Sequence, residues 1–354
     1  MQEIRISEID AGQRLNKFLG KYLDNAPQSF LYKMLRKKNI KWNNKKASGN
    51  EILDTGDVVQ IYMADETIAK FRRDGRVPDF QDIPEKRDND AQESESSSFF
   101  PELDILYEDA DILIVNKPAG MLSQKAEADD YSLNERIVAY YHKRHPGTSL
   151  FTPSVCNRLD RNTSGIILAG MSLKGSQLLS GMLKGRALDK YYMTVVSGNV
   201  EKSSTIKGFL TKKASHNQVV IYQSKEEAQA EGVDKPAFIE TKYEPLAHGI
   251  FQDREYTLLK VKLVTGKTHQ IRAHLCSVGH PIIGDGKYGL KSVNAAFKKE
   301  FGLRHQLLHA FEITFPAEDG EITEKLSGKV FRAALPEQFE EIKNRIFPEY
   351  EVRS

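Results

Sequence analysis

From Ser164 onward one strand-like run follows another: "SGIILAG", "KYYMTVVSG", "NQVVIYQ", "AFIETKYEPLA", "EYTLLKVKLVTG" and "LLHAFEITFP". Each is rich in β-branched and aromatic residues and is set off by glycine, proline or small polar residues, as strands are. Helical stretches are fewer. "SLNERIVAYYHKRH" opens with a Ser132/Glu135 capping box, and "SLKGSQLLSGML" and "PEQFEEIKNRI" follow, the latter with Pro336 suited to a first helical turn. This uneven alternation predicts an α+β domain with a largely antiparallel mixed sheet rather than repeated parallel units. The earlier run "LDILYEDADILIVNKPAGM" adds two strands around an acidic turn, so the domain spans 103–354.

The first sixty residues differ. In "RLNKFLGKYLDN", Leu15, Phe18, Leu19, Tyr22 and Leu23 recur at helical spacing. "QSFLYKMLRKK" repeats the pattern with Phe30, Leu31, Met34 and Leu35, and Ser29 is its expected cap. "IKWNNKKA" carries an Asn-Asn turn signal, and "GDVVQIYM" is a further strand. Lys33, Arg36, Lys37, Lys38, Lys41, Lys45 and Lys46 fall in this stretch with no acidic residue between Lys33 and Lys46. Such a stripe either binds a phosphate backbone or is a solvated face. From Asp65 to Glu102 the chain mixes Pro, Ser and charge without an apolar period, which reads as a flexible linker over 65–102, or as an arm anchored by Phe99 and Phe100.

A chain of 354 residues with 40% hydrophobic content suits two domains, the first over 1–64. The N-terminus "MQEIRISEID" lacks a basic segment followed by an apolar one, and the apolar runs are short, so a cytoplasmic protein with no membrane association is expected. Cys156 and Cys276 stand apart in no metal-type spacing and read as small buried hydrophobes. No coiled coil is evident, and a monomer is the expectation.

Several polar clusters exceed structural need. "NRLDRNTSG" sets Asp160 between Arg158 and Arg161 just before an apolar strand, where it serves either as a held carboxylate or as a turn cap. "VTGKTHQIRAHL" gathers Lys267, His269, Gln270, Arg272 and His274 at the end of a strand-like run. Its Gly-Lys-Thr is no phosphate loop, because Val261 stands where that motif needs glycine. Neither this pair of histidines nor His305 and His309 has a zinc framework, so no metal is expected. In "NKPAGM", Lys117 either contacts phosphate or ties the loop. In "KYYMTVVSG" strand alternation lets only one of Tyr191 and Tyr192 serve a site. "GHPIIGDGKYG" reads as a scaffold loop with Asp285 capping a turn and Tyr288 in the core, and Glu108, Asp109 and Asp111 read as hairpin-turn residues rather than glycosidase carboxylates.

Taken in order over about Leu103 to Ile346, "NKPAGM", "NRLDRNTSG", "KYYMTVVSG", "TGKTHQIRAHL", "GHPIIGDGKYG" and "LHAFEITFP" resemble the RluA/RluC/RluD-type family of pseudouridine synthases. Residues Ile4 to Met63 resemble the RNA-binding module named after ribosomal protein S-four, a common companion of that catalytic domain. The resemblance implies isomerisation of uridine in structured RNA, with no cofactor. Asp160 would be the catalytic aspartate, Arg272 its partner, Tyr192 the ring against the base, and Arg158 the residue near the displaced base. Lys117, Lys267, His269 and Gln270 would line the substrate. Asn157 and Lys267 depart from the histidine and arginine frequent in the family, which bears on target choice. Large-subunit ribosomal RNA is the leading target and transfer RNA the next. A binding or ribosome-assembly factor with dispensable catalysis is the competing reading.

Overall fold

The computed structural model describes residues 2–7, 10–72, 102–127, 130–145, 151–213, 218–317 and 324–350. The N-terminal unit holds strands β1 (Gln2–Arg5), β2 (Ile40–Trp42), β3 (Lys45–Lys46) and β4 (Val58–Ile61) with helices α1 (Leu15–Tyr22), α2 (Gln28–Arg36) and α3 (Asp65–Phe71). Its antiparallel sheet runs β1-β4-β2-β3. Asn43 and Asn44 both have positive φ, 48° and 62°, so the Asn-Asn signal marks a two-residue hairpin. Leu15, Phe18, Leu19, Leu31, Met34 and Leu35, the apolar faces of α1 and α2, close on Ile40, Val59 and Ile61 of the sheet. Helix α2 starts one residue earlier than its expected cap: Pro27 precedes the first turn and Ser29 lies inside it.

The unit also continues past its expected end. Asp65–Phe71 is helical where a linker is expected, because Ile68 is buried in the same core and the Phe71 ring packs on Phe30 at 4.4 Å. Two large apolar residues in seven suffice when an existing core receives them, although they make no sustained period. Of the expected linker, 73–101 lies outside the described residues, as do Phe99 and Phe100.

The larger unit is built on β5 (Asp104–Glu108), β6 (Ile112–Lys117), β7 (Ser154–Val155), β8 (Ser164–Gly170), β9 (Asp189–Ser197), β10 (Ser204–Lys213), β11 (Gln218–Tyr222), β12 (Ala237–Phe251), β13 (Arg254–Leu263), β14 (Leu308–Thr314) and β15 (Val330–Arg332). Helices α4 (Leu133–Arg144), α5 (Leu173–Gly185), α6 (Lys225–Ala230), α7 (Gln270–Ser277), α8 (Lys291–Phe301) and α9 (Glu337–Ile346) accompany them. The sheet runs β11-β10-β12-β13-β9-β14-β8-β6-β5, with β15 on β14 and β7 on β8. Among the described residues, only the β14–β8 pairing of this sheet is parallel, the mixed, largely antiparallel arrangement expected.

Both faces of the sheet's centre are covered. Ile167 and Ala169 of β8 join Tyr192, Leu259, Val261, Ile271 and Leu275 on one face, while Ile166 and Leu168 join Leu179 and Met182 of α5 on the other. Along β9, Met193 and Val195 fall in a third cluster with Phe297 of α8 and Phe339 and Ile342 of α9. Two-sided burial explains the unbroken apolar run of β8. The Ser132/Glu135 capping box opens α4 as expected. The acidic turn is structural: Asp109 Oδ1 accepts the N–H groups of Asp111 and Ile112, and Glu108 binds Tyr140 and Arg144. Pro336 is the residue before α9 rather than its first helical residue. Among the described residues no helix is long and apolar enough to cross a membrane.

Candidate active site

Asp160 sits in the loop between β7 and β8, and its neighbours fix the backbone on either side. Ser123 Oγ donates to the Leu159 carbonyl and accepts the Leu159 N–H, both at 3.0 Å. The Thr163 N–H reaches the Asp160 carbonyl at 3.0 Å, and Gly120 N–H reaches the Arg161 carbonyl at 2.9 Å. Asn157 bridges the loop to β8 through the Ile166 carbonyl and the Leu168 N–H. Lys117 is fully buried, and its Nζ donates to the carbonyls of Pro118 (2.9 Å), Met121 (2.8 Å) and Arg161 (3.1 Å). Of the two roles open to it, Lys117 ties the loop; it presents no face to a ligand. Burial pushes its pKa down to about 7, against the pull of the Asp160 charge.

Arg272 extends from the first turn of α7 toward two carboxylates. Its Nη1 donates to Asp160 Oδ2 at 2.8 Å. Its Nε and Nη2 donate to Asp285 Oδ2 and Oδ1 at 2.7 and 2.9 Å. The two-pronged contact of the guanidinium is therefore made with Asp285, and Asp160 receives the one remaining arm. Asp285 is 0% exposed and also accepts the N–H groups of Lys287 and Tyr288. Burial alone would raise its pKa, but the bonds and charge of Arg272 and those two N–H groups hold it below the ordinary carboxylate value. Asp160 is 24% exposed on its side chain, against 0% for Asp285, so one carboxylate anchors the guanidinium and the other is partly exposed.

Tyr192 and Tyr191 divide as strand alternation requires. Tyr192 is 6% exposed in the core cluster on the α7 side, and burial, reinforced by the charge of Asp160, raises its pKa and keeps it a neutral phenol. Tyr191 lies on the opposite face with Lys260 4.4 Å above its ring. His269 precedes α7 in a left-handed conformation (φ 54°); its Nε2 is 3.9 Å from Asp160 Oδ2 and its Nδ1 is 3.1 Å from the Tyr288 hydroxyl. Tyr288 also accepts the Val219 N–H at 3.0 Å, and Arg272 lies 5.4 Å from its ring centroid.

Other expected substrate residues divide as well. Arg158 and Lys267 are exposed beside this cluster in sequence. Gln270 is 2% exposed, and its amide is consumed by Thr265, the Lys267 N–H, the Glu240 carbonyl and Thr241, so it holds the loop before α7 rather than a ligand. His274 and His309 are buried, bonded to Thr241 and to Ser164 and Ala333, and burial pushes both pKa values down to about 4. In the N-terminal unit Lys33, Arg36, Lys37 and Lys38 are exposed, while Lys41 lies 4.9 Å over the Tyr62 ring.

Asp285 and Tyr288 are the site residues that sequence reasoning missed. A lone aspartate between glycines carries the signal of a turn, and Asp285 does cap one; its pairing with an arginine thirteen positions earlier has no local signature. Helix α7 was hidden for a similar reason: four of its eight residues, Gln270, Arg272, His274 and Ser277, are polar, and three of these are buried for bonding.

The family model for RNA pseudouridylate synthases matches residues 111–277. The chain is 30% identical over 326 residues to the ribosomal large subunit pseudouridine synthase C of Vibrio cholerae serotype O1, spanning 91% of both chains. It is 29% identical over 346 residues to the protein of the same name from Haemophilus influenzae, spanning 97% of this chain and 94% of that one. Human RNA Pseudouridylate Synthase Domain Containing 4 shares the fold, with a TM-score of 0.53 and 18% identity over 68% of this chain and 92% of that one.

Proposed function

The chain belongs to the RNA pseudouridylate synthase family and isomerises uridine in RNA, and from that premise we propose that its substrate is large-subunit ribosomal RNA and that Asp160 is its reacting carboxylate. The observation that carries the assignment is the shared guanidinium. Arg272 is locked to the buried Asp285 and offers one N–H to the partly exposed Asp160.

Pseudouridine formation breaks the bond between ribose C1′ and uracil N1, turns the base, and joins C1′ to C5. The C5 proton is lost and N1 gains one, so atoms and electrons balance without an oxidant or a reductant. A uridine in folded RNA must first leave its stack, at a cost of a few kcal/mol. Contact with an aromatic ring offsets about 1 to 3 kcal/mol of this, and Tyr192 is the ring nearest in role. Asp160 then acts at the ribose. A carboxylate withdrawn from water is pushed toward its neutral form, and the charge-assisted bond from Arg272 opposes that push while setting the direction of the carboxylate. Arg158, exposed two residues before Asp160, is suited to the space the displaced base leaves.

The basic surface of residues 33–46 grips the RNA backbone, with the N-terminal unit ending after α3 rather than at residue 64. On this reading the protein works as a monomer in the cytoplasm.

A pseudouridine-specific chemical map of total RNA, taken from cells with the protein, without it, and with Asp160→Ala, tests this reading. Loss of the same discrete signals in large-subunit ribosomal RNA from both altered strains is the expected result. Loss confined to transfer RNA would move the substrate, and signals that persist with Asp160→Ala would remove Asp160 from the reaction.

A further inference from the structure

The polar surroundings of the Asp160 carboxylate are asymmetric. Both nitrogen donors facing the carboxylate approach the same oxygen: Arg272 Nη1 at 2.8 Å and His269 Nε2 at 3.9 Å from Oδ2. Among the described residues no hydrogen-bond donor meets Oδ1. We infer that His269 is a positioning residue for Asp160, held by Tyr288 with its proton on Nε2 so that the carboxylate has a second N–H donor on Oδ2 and turns Oδ1 to the ribose. The inference rests on Asp160 being the reacting carboxylate, and it names how that group is aimed.

The tautomer follows from Tyr288 and Asp160 together. The Tyr288 oxygen accepts the Val219 N–H at 3.0 Å, and its single hydroxyl proton can point at His269 Nδ1, 3.1 Å away. With Nδ1 accepting, a neutral imidazole carries its proton on Nε2. The opposite arrangement would turn the Nε2 lone pair toward a carboxylate oxygen, lone pair against negative charge.

The ring is neutral near pH 7, since burial lowers its pKa, the cations of Arg272 and Lys287 push the same way, and Asp160 and Asp285 oppose them. Its orientation is set twice, by the hydroxyl and by the edge contact with the Tyr288 ring, whose centroid is 5.7 Å away at 75°. The backbone at His269 is left-handed, with φ 54°, a conformation that persists where the surrounding structure holds it. At 3.9 Å the approach to Asp160 is one side-chain adjustment from a hydrogen bond, and such bonds tighten when substrate fills a site.

Single-turnover release of tritium from uridine labelled at C5 in the RNA substrate, measured with the full chain, tests this. RNA affinity and thermal melting are followed in parallel. His269→Leu should lower the rate by about ten- to a hundredfold, the weight of one hydrogen bond to a charged group, with affinity and melting unchanged. His269→Gln places an amide N–H2 near the position of Nε2 under the same backbone strain and should keep the rate within about threefold. Tyr288→Phe should slow the chain that retains His269, yet cost nothing further in the His269→Gln background, because an amide needs no tautomer chosen for it. An equal loss from Tyr288→Phe in both backgrounds, or equal rates for His269→Gln and His269→Leu, would overturn the role of His269 while leaving the function intact. Absence of tritium release from the unaltered protein would overturn the functional reading itself.

Discussion

Arg272 directs three N–H groups at two carboxylates of different character. Asp285 has no exposure and two further backbone donors; Asp160 is partly open. A lysine has a compact ammonium with no planar fork and cannot keep both partners at these angles. Arg272→Lys should therefore lower turnover by on the order of a hundredfold, about 3 kcal/mol, as judged by single-turnover rates at saturating enzyme. Near-normal rates would remove Arg272 from the site. Asp285 also ties stability to pH. Its carboxyl is held below the ordinary value, so its contribution is fully present above the unfolded value of about 3.9 and is lost as pH falls through the lowered folded value. Thermal melting from pH 7 to pH 2 should show a steeper acid-side loss below about pH 4 for the natural chain than for Asp285→Asn, with the variant less stable at pH 7. Parallel curves would mean that Asp285 does not titrate with unfolding. Asp160 and Arg272 stood out in sequence because their motifs hold more polar groups than a strand end needs. Which carboxylate takes the guanidinium fork was illegible, since Asp160 and Arg272 lie 112 positions apart.

Strand β8 carries the geometry of the loop before it. Gly165 has φ +114°, and a Cβ there would lie 2.2 Å from the Ala310 carbonyl oxygen, at the one parallel pairing of the sheet. Gly165→Ala should destabilise the fold by about 2 to 4 kcal/mol through strain and overlap, read by urea unfolding, and should disturb the Asp160 loop with it. A loss under about 0.5 kcal/mol would show that β14 yields to the methyl group. The strands were legible because their apolar runs and turn residues are local signals. Helices α3 and α7 were not: α3 is stabilised by Ile68 and Phe71 reaching a core made elsewhere, and α7 by polar side chains bonded inside the fold. The Ser132/Glu135 box needed no tertiary help, since it bonds within three residues, whereas the acidic turn joins the local bonds of Asp109 to long-range ones from Glu108 to Tyr140 and Arg144.

At the scale of the molecule, the exposed Lys33, Arg36, Lys37 and Lys38 belong to one small unit and the Asp160 cluster to another. If the first unit binds phosphates and the second does the chemistry, affinity and rate separate. Replacing Lys33, Arg36 and Lys37 together with Gln should reduce the slope of log affinity against log salt by about 2 to 3 and leave the single-turnover rate at saturating enzyme unchanged. An unchanged slope would make the stripe a solvated face. Sequence alone determined the α+β class, the antiparallel character of the sheet and the hairpin at Asn43 and Asn44, since periodicity and turn chemistry are written within a few residues, while the candidates Asp160, Arg272 and Tyr192 came with the resemblance to a known family carried by motifs in order along the chain. Only the tertiary structure decided that Lys117 and Gln270 hold loops, that Asp285 anchors Arg272, and that His269 and Tyr288 stand behind Asp160. Those roles depend on which buried donor meets which buried acceptor across long stretches of chain, and chain folding brings them together without a local pattern to announce it.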